Sequence, residues 1–320
     1  MDRMRGTARF GTLGASALTL LLALDGCTRA PVAGAPDVIR YLSWTSSRSP
    51  FTTELVRRLN SIPNVQVAIE ETTGSLAVLS MLEQGRGDFG FSQADVAYVA
   101  YRRGIDPDLH PFKNLRAVAV RWVNTLSFAV PNDSAVRSIG DLRDKRVGIV
   151  PTGAAGELLT RIVFEAHGLN YAHFRPVFIE NDKMLAAITS GALDAAVLGG
   201  TPVSERGPEI RQSGLRLLSI EPTIINKVRR NYPFIKRIVD PDAAAAGGEV
   251  QTVGVDSVLI CRKDMTEALV YQLTKEFHAL LTQTARAQPH ARLDPEQASA
   301  TPIPLHTGAA RFYREREILR

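Results

Sequence analysis

The chain has 320 residues, 45% of them hydrophobic, which suffices for one large domain or two α/β lobes with separate cores and excludes disorder over most of its length. Its formal charge of +5 comes from 38 basic residues scattered among 33 acidic ones, with a pI near 9.3. Without basic runs this does not indicate a nucleic-acid surface, and it favours an anionic ligand or membrane surface only mildly.

The N-terminus reads as an export signal. Arg3, Arg5 and Arg9 form a positive region, and the apolar stretch 11–24 that follows is too short to cross a bilayer core of about 30 Å as a helix. It ends in Leu24, Asp25, Gly26 and Cys27, which resembles the bacterial lipobox, in which the Cys becomes the lipidated first residue of the mature chain. Asp25 departs from that pattern, where a small uncharged residue is usual. With Cys27 as a lipid anchor, Cys261 is left alone and a disulfide scaffold is excluded. Cys261 lies in an apolar run with Val258, Leu259 and Ile260 and reads as a core residue. Residues 28–36, small and Pro-containing, suit a tether.

From residue 38 strand and helix signals alternate. Residues 38–44 read as a strand, and 50–60 as a helix with Phe51, Leu55, Val56 and Leu59 on one face. A strand at 65–70 alternates Val65, Val67 and Ile69 with more polar neighbours. A helix over 75–84 turns Leu76, Leu79 and Met81 or Leu82 inward, Gly85 and Gly87 stop it, and Phe89 begins the next strand. This rhythm predicts right-handed crossovers and a mainly parallel sheet. Two strands follow at 115–123 and 126–131, the second leaving the first lobe. A short helix at 138–141 precedes a strand at 146–150, a helix at 156–167 ended by Gly168, a strand at 174–179 and a helix at 183–190 ended by Gly191. Strands at 195–198 and 215–220 complete the second lobe. A strand at 250–260 recrosses to the first, and an amphipathic helix at 265–284 packs on it. No long internal repeat stands out, and the Pro-, Ala- and Arg-rich tail is expected to wrap the surface.

Glycine and hydroxyl residues cluster just after predicted strands: Thr45, Ser46 and Ser47 after the first, Thr73, Gly74 and Ser75 after the second, Ser92, Gln93 and Asp95 after the third. In an open α/β sheet the ligand crevice lies beyond the carboxyl ends of the strands, where these loops converge. Thr152, Gly153 and Ala155, with Gly200 and Pro202, supply a facing wall. Loops that open helices present unpaired N–H groups, and short hydroxyls add donors, so the set fits a carboxylate or similar anion. Any one Ser or Thr serves equally as a helix cap, so the cleft is argued from five loops together. Trp122 and Arg121, at a strand end, are candidates to stack on and pair with a ligand, against a core Trp and a surface Arg.

Enzymatic constellations are missing from the sequence. The loop from Gly153 to Gly156 lacks the Lys-Ser/Thr ending of a P-loop, and no Gly-x-Ser-x-Gly elbow occurs. His167 and His173 lack metal-site spacing and acidic partners, and Asp194 reads as a turn residue before a strand. The chain is therefore expected to be neither an enzyme nor a holder of a metal or cofactor.

Taken in order, several segments make the chain similar to the TAXI family of TRAP transporter solute receptors, within the type II periplasmic binding proteins. They are Thr73-Gly74-Ser75, Gly87 to Asp95, Leu115 to Val118, Ser138 to Val147, Gly191 to Ala195, and Pro304 to Tyr313. The resemblance implies two α/β lobes, mainly parallel sheets joined by a two-strand hinge, closing on a carboxylate or amino acid, with a membrane permease as partner. It implies lobe 1 at 37–130 plus 250–285, lobe 2 at 131–249, and a C-terminal tail at 286–320. Two pocket loops depart from the family. Ser43 to Phe51 stands where a Gly-rich loop is usual, and Gly153-Ala154-Ala155-Gly156 replaces Gly-Ser-Gly-Thr. Arg48 is a candidate to replace the lost donors. A ligand sensor feeding a membrane signalling protein is the alternative, since it needs the same cleft.

Overall fold

The computed structural model describes residues 37–44, 49–104, 110–154, 156–200, 209–240, 249–287 and 294–319. The chain opens with β1 (Asp37–Trp44), α1 (Pro50–Leu59), β2 (Val65–Thr72), α2 (Ser75–Glu83), β3 (Phe89–Gln93) and α3 (Ala94–Arg103). The long strand β4 (Leu115–Pro131) and a 3-10 turn at Ile139–Leu142 lead to β5 (Arg146–Ile149), α4 (Glu157–Ala166), β6 (Arg175–Phe178), α5 (Met184–Thr189) and β7 (Ala195–Gly200). Then come β8 (Leu215–Leu218), α6 (Pro222–Asn231), β9 (Lys236–Asp240), β10 (Val250–Arg262), α7 (Glu267–Ala287) and α8 (Thr307–Glu315). Among the described residues no helix is long and apolar enough to cross a membrane.

Local chemistry accounts for the element starts. Ser49 caps α1, its hydroxyl accepting the Thr52 N–H at 3.3 Å, and Pro50 follows at the first helical position, where a missing N–H is harmless. Of the predicted apolar face, Phe51, Leu55 and Leu59 are buried and Val56 is partly buried. Four elements have no counterpart among the predicted ones: α3, α6, β9 and α8. Helix α3 begins directly at the end of β3 without a turn residue to mark it, because Gln93 ends one element and caps the next. Conversely, β4 is one strand where two were expected, since polar Asn124 and Thr125 sit within a continuous ladder.

The strand order is β2-β1-β3-β10-β4-β7-β5-β6, with β8 beside β4 and β9 beside β10. Strand β1 runs parallel to β2 and β3, and β5 parallel to β6 and β7. These two parallel cores are linked by β4 and β10, which are antiparallel to each other and to their neighbours. The amino-terminal part of β4 pairs with β10, and its carboxyl-terminal part pairs with β7 and β8. The result is the two-lobed α/β fold of a type II periplasmic binding protein, in which two crossing strands form the hinge.

The two cores repeat one another more closely than the sequence suggests. In the first, Asp88 accepts the Arg40 N–H at 2.6 Å and donates its own N–H to the Arg40 carbonyl at 3.0 Å. In the second, Asp194 does the same with Arg146, at 2.7 and 2.9 Å, and also grips the Arg146 guanidinium. Each pair is 48 residues apart and ties the start of a first strand to that of a third. Asp194 is thus the turn residue expected, with an ion pair that holds its carboxyl below the usual range.

The segment beyond residue 286 does more than wrap the surface. Helix α8 lies on α7, and its Phe312 and Tyr313 are fully buried in the cluster that contains Phe277 and Leu281. A Cβ at Gly308 would fall 2.3 Å from the Glu267 carbonyl oxygen, so the helices meet backbone to backbone there. Cys261 is wholly buried, and burial pushes its thiol well above the ordinary range, as suits a core residue.

Candidate functional site

Both lobes turn the carboxyl ends of their parallel strands toward one cleft of roughly 340 Å³. Thr73, Leu76 and Ala77, at the start of α2, form one wall. Pro151, Thr152, Gly153 and Ala154, which follow β5, and Glu180, which follows β6, form the other. Glycine is needed at three turns around it. Gly74, Gly153 and Gly156 have φ of 145°, 84° and 92°, where a side chain would be strained.

Behind the first wall the polar groups are buried and mutually satisfied. The fully buried Ser75 hydroxyl accepts the Gln93 N–H at 3.1 Å, joining the start of α2 to the end of β3. The Gln93 side chain reaches across to the second lobe, where its Oε1 accepts the Gly156 N–H at 2.8 Å at the N-cap of α4. This buried bond spans the lobes at the base of the cleft. In the second wall Asn181 clamps Gly199 with both ends of its amide, donating to the carbonyl and accepting from the N–H at 3.2 Å each, which steadies the end of β7.

Helices α3 and α4 also meet here, and two carboxyl groups are buried between them. Asp95 is wholly buried in the first turn of α3, and Glu157 opens α4. Among the described residues neither Asp95 oxygen has a partner in hydrogen-bond geometry. Burial pushes its pKa up to about 6; the N–H groups of Val96, Asp95 and Leu159 partly offset this, and the Glu157 charge adds to it. Glu157 is better served, accepting from the Tyr171 hydroxyl at 2.8 Å and pairing with Arg161 at 3.4 Å.

The hinge carries a second unusual group. Between the pairs Asp256–Val123 and Val258–Val120, two steps along β10 are matched by three along β4, so β4 bulges there. Adjacent strand residues ordinarily point to opposite faces, but a bulge re-aims one of them. Here the Arg121 guanidinium lies 3.4 Å from the Trp122 ring centroid, 3.9 Å from that of Phe51 and 5.4 Å from that of Phe91. Its Nη2 donates to the Ser49 hydroxyl at 3.2 Å, while its Nε is buried without a partner among the described residues. Burial lowers its pKa to about 9. Trp122, half-buried, donates from its indole to Asn124 at 2.9 Å.

The predicted residues therefore divide. Thr73, Thr152 and Gly153 line the cleft, with Gly74 beside them as the N-cap of α2. Ser75, Gln93 and Asp95 stand behind it as buried framework, their side chains turned to protein. Trp122 lies at the hinge, and Gly200 ends β7 opposite Thr125. Thr45, Ser46, Arg48, Ala155 and Pro202 fall outside the described residues, as does Cys27. Leu76, Ala77, Pro151 and Glu180 were not among the predicted set, whereas Ala154 belongs to the loop expected as the facing wall. For Glu180 the signal was present, because the rule that ligand groups follow strand ends applies equally after β6.

Comparison with known proteins follows this geometry. The NMT1-like family matches residues 52–316. Similar solved structures include a binding protein component of an ABC phosphonate transporter from Pseudomonas aeruginosa, with a TM-score of 0.53 at 10% identity over 78% of this chain and 79% of that one. A Xanthomonas citri protein bound to ATP gives 0.51 at 14% identity over 88% and 98% of the two chains. The periplasmic sulfonate-binding protein SsuA from Methylobacillus flagellatus gives 0.50 at 13% identity over 88% and 96%. At these identities the likeness speaks for the fold.

Proposed function

The chain belongs to the NMT1-like family, and on that premise we propose that it is an extracytoplasmic solute-binding receptor that delivers a small ligand with an acidic group to a membrane transporter. The observation that carries this reading is the cleft itself: two parallel cores joined by two crossing strands, facing each other across Thr73 and Thr152, with one buried bond between Gln93 and Gly156 at its base. Such a body can close around a solute by bending β4 and β10, and closure changes the face offered to a permease. The lobes are 37–130 with 250–285, and 131–249. Thr73 and Thr152 bring hydroxyl donors to the ligand, and Glu180 suits the amino group of an amino acid. Two of the proteins of similar fold are named for sulfonate and phosphonate transport, which supports an acidic ligand.

The export signal and Cys27 make the protein a periplasmic lipoprotein in this reading. The TAXI-like segments favour a TRAP permease, whereas the transporters named for the similar structures are of the ABC type. Native mass spectrometry of the purified protein, before and after mild denaturation, tests the receptor reading. A small acid released on denaturation supports it. An empty protein whose melting temperature no solute in a broad metabolite panel raises would count against it.

A further inference from the structure

A positive charge strengthens the binding of an acidic solute, and the described cleft walls bring none: the ionisable side chain there is Glu180. We propose that Arg121 supplies it, forming with the capped start of α1 an oxyanion subsite that takes the carboxylate, sulfonate or phosphonate group of the solute. This rests on the receptor reading and deepens it by assigning the recognition group.

Arg121 is only 6% exposed, yet among the described residues no carboxylate pairs with it. Other arginines behave differently. Arg146 grips Asp194, Arg262 reaches Asp88 and Asp264, and Arg58 pairs with Glu54 and Glu276. A buried charge without a counter-ion is unfavourable unless something compensates it. The faces of Phe51, Phe91 and Trp122 stabilise the cation, but they offer no acceptor to its planar fork of donors. Of that fork Nη2 is engaged by a neutral hydroxyl and Nε, among the described residues, by nothing. An oxyanion matches both the charge and the fork.

Position agrees with chemistry. Gln93 pairs with Ser257 of β10, and Ser257 lies opposite the β4 bulge, so Arg121 stands level with the carboxyl end of β3 where the cross-lobe bond forms. Its Nη2 bonds Ser49, the N-cap of the ten-residue helix α1, whose amino-terminal end adds fixed partial positive charge. The bulge that aims Arg121 this way interrupts the hinge ladder at the point where the lobes begin to part.

Calorimetric titration of the purified protein with glutamate, butanesulfonate and butylphosphonate, alongside butylamine and inositol, tests the assignment. The wild type should bind at least one of the acids, Arg121→Met about 100-fold more weakly, and Arg121→Lys, which keeps the charge but not the fork, about tenfold more weakly. An acid that binds Arg121→Met as tightly as wild type overturns the subsite and leaves the receptor reading intact. Binding of butylamine or inositol with none of the acids overturns the subsite and the acidic ligand class together, and leaves a receptor for another solute. Binding of no solute at all overturns both. Should Arg121→Met fail to fold, Arg121→Lys decides alone, and unchanged affinity there overturns the subsite.

Discussion

Asp95 shows how burial alone can turn an ordinary side chain into a pH-sensitive one. In the unfolded chain an Asp titrates near 3.8, and in the folded protein Asp95 titrates near 6, so between these values the folded state holds a proton that the unfolded state has lost. Stability contributed by this group therefore falls as pH rises from about 4 to about 6, and the cost is fully present above that window. Two units correspond to about 3 kcal/mol as an upper bound. We expect Asp95→Asn to be more stable than wild type by about 1–3 kcal/mol at pH 7.5, with the difference shrinking toward pH 4. Urea unfolding at both values measures it, and a stability difference that does not change with pH would show that Asp95 titrates in the folded protein as it does in the unfolded chain. The sequence offered Asp95 as a ligand-binding residue after the third strand. Its place inside the contact of α3 with α4 could not be read from the chain, because desolvation depends on what packs over a residue.

At the scale of elements, the paired Arg–Asp anchors make a graded prediction. Asp88 is buried and serves the Arg40 backbone and the Arg262 side chain, whereas Asp194 is half-exposed and its partner Arg146 more so. Removing a buried acceptor leaves its donors unpaired, so Asp88→Ala should cost about 2–3 kcal/mol and Asp194→Ala about 1 kcal/mol in urea unfolding. An equal loss from both would mean that burial does not set the difference. The helices and strands with clear periodicity and stop signals, such as α1, α2 and α7, were legible in the sequence because the period of their apolar residues is a local property. Helix α3 follows β3 without punctuation and β4 continues through polar residues, so neither was legible as it stands. The β4 bulge left no mark at all, since it is a mismatch between two strands about 135 residues apart in the chain.

For the molecule as a whole, the bond between Gln93 and Gly156 is the described polar link at the base of the cleft. One such hydrogen bond is worth about 1 kcal/mol, or roughly a fivefold change in an open–closed equilibrium. Gln93→Ala should shift the ligand-free protein toward open forms, visible as a larger radius of gyration in small-angle X-ray scattering. Superimposable scattering curves for variant and wild type would remove the bond from control of closure. The lipid anchor is tested separately: Cys27→Ser should release the protein from membranes into the soluble fraction, and continued membrane association would sink the lipobox reading.

By itself the sequence determined much of the alternation of strands and helices and the strand-end loops from which Thr73, Thr152 and Gly153 reach the cleft. Each of these follows from periodicity and punctuation along the chain, which short-range sterics and apolar patterning impose. Only the tertiary structure decided that Ser75, Gln93 and Asp95 serve as buried framework, that two parallel cores repeat the same anchor, and that Arg121 lies buried among aromatic rings without a carboxylate partner among the described residues. Those outcomes depend on which distant residues exclude water from a given side chain and which acceptors remain within its reach, and both are set by packing.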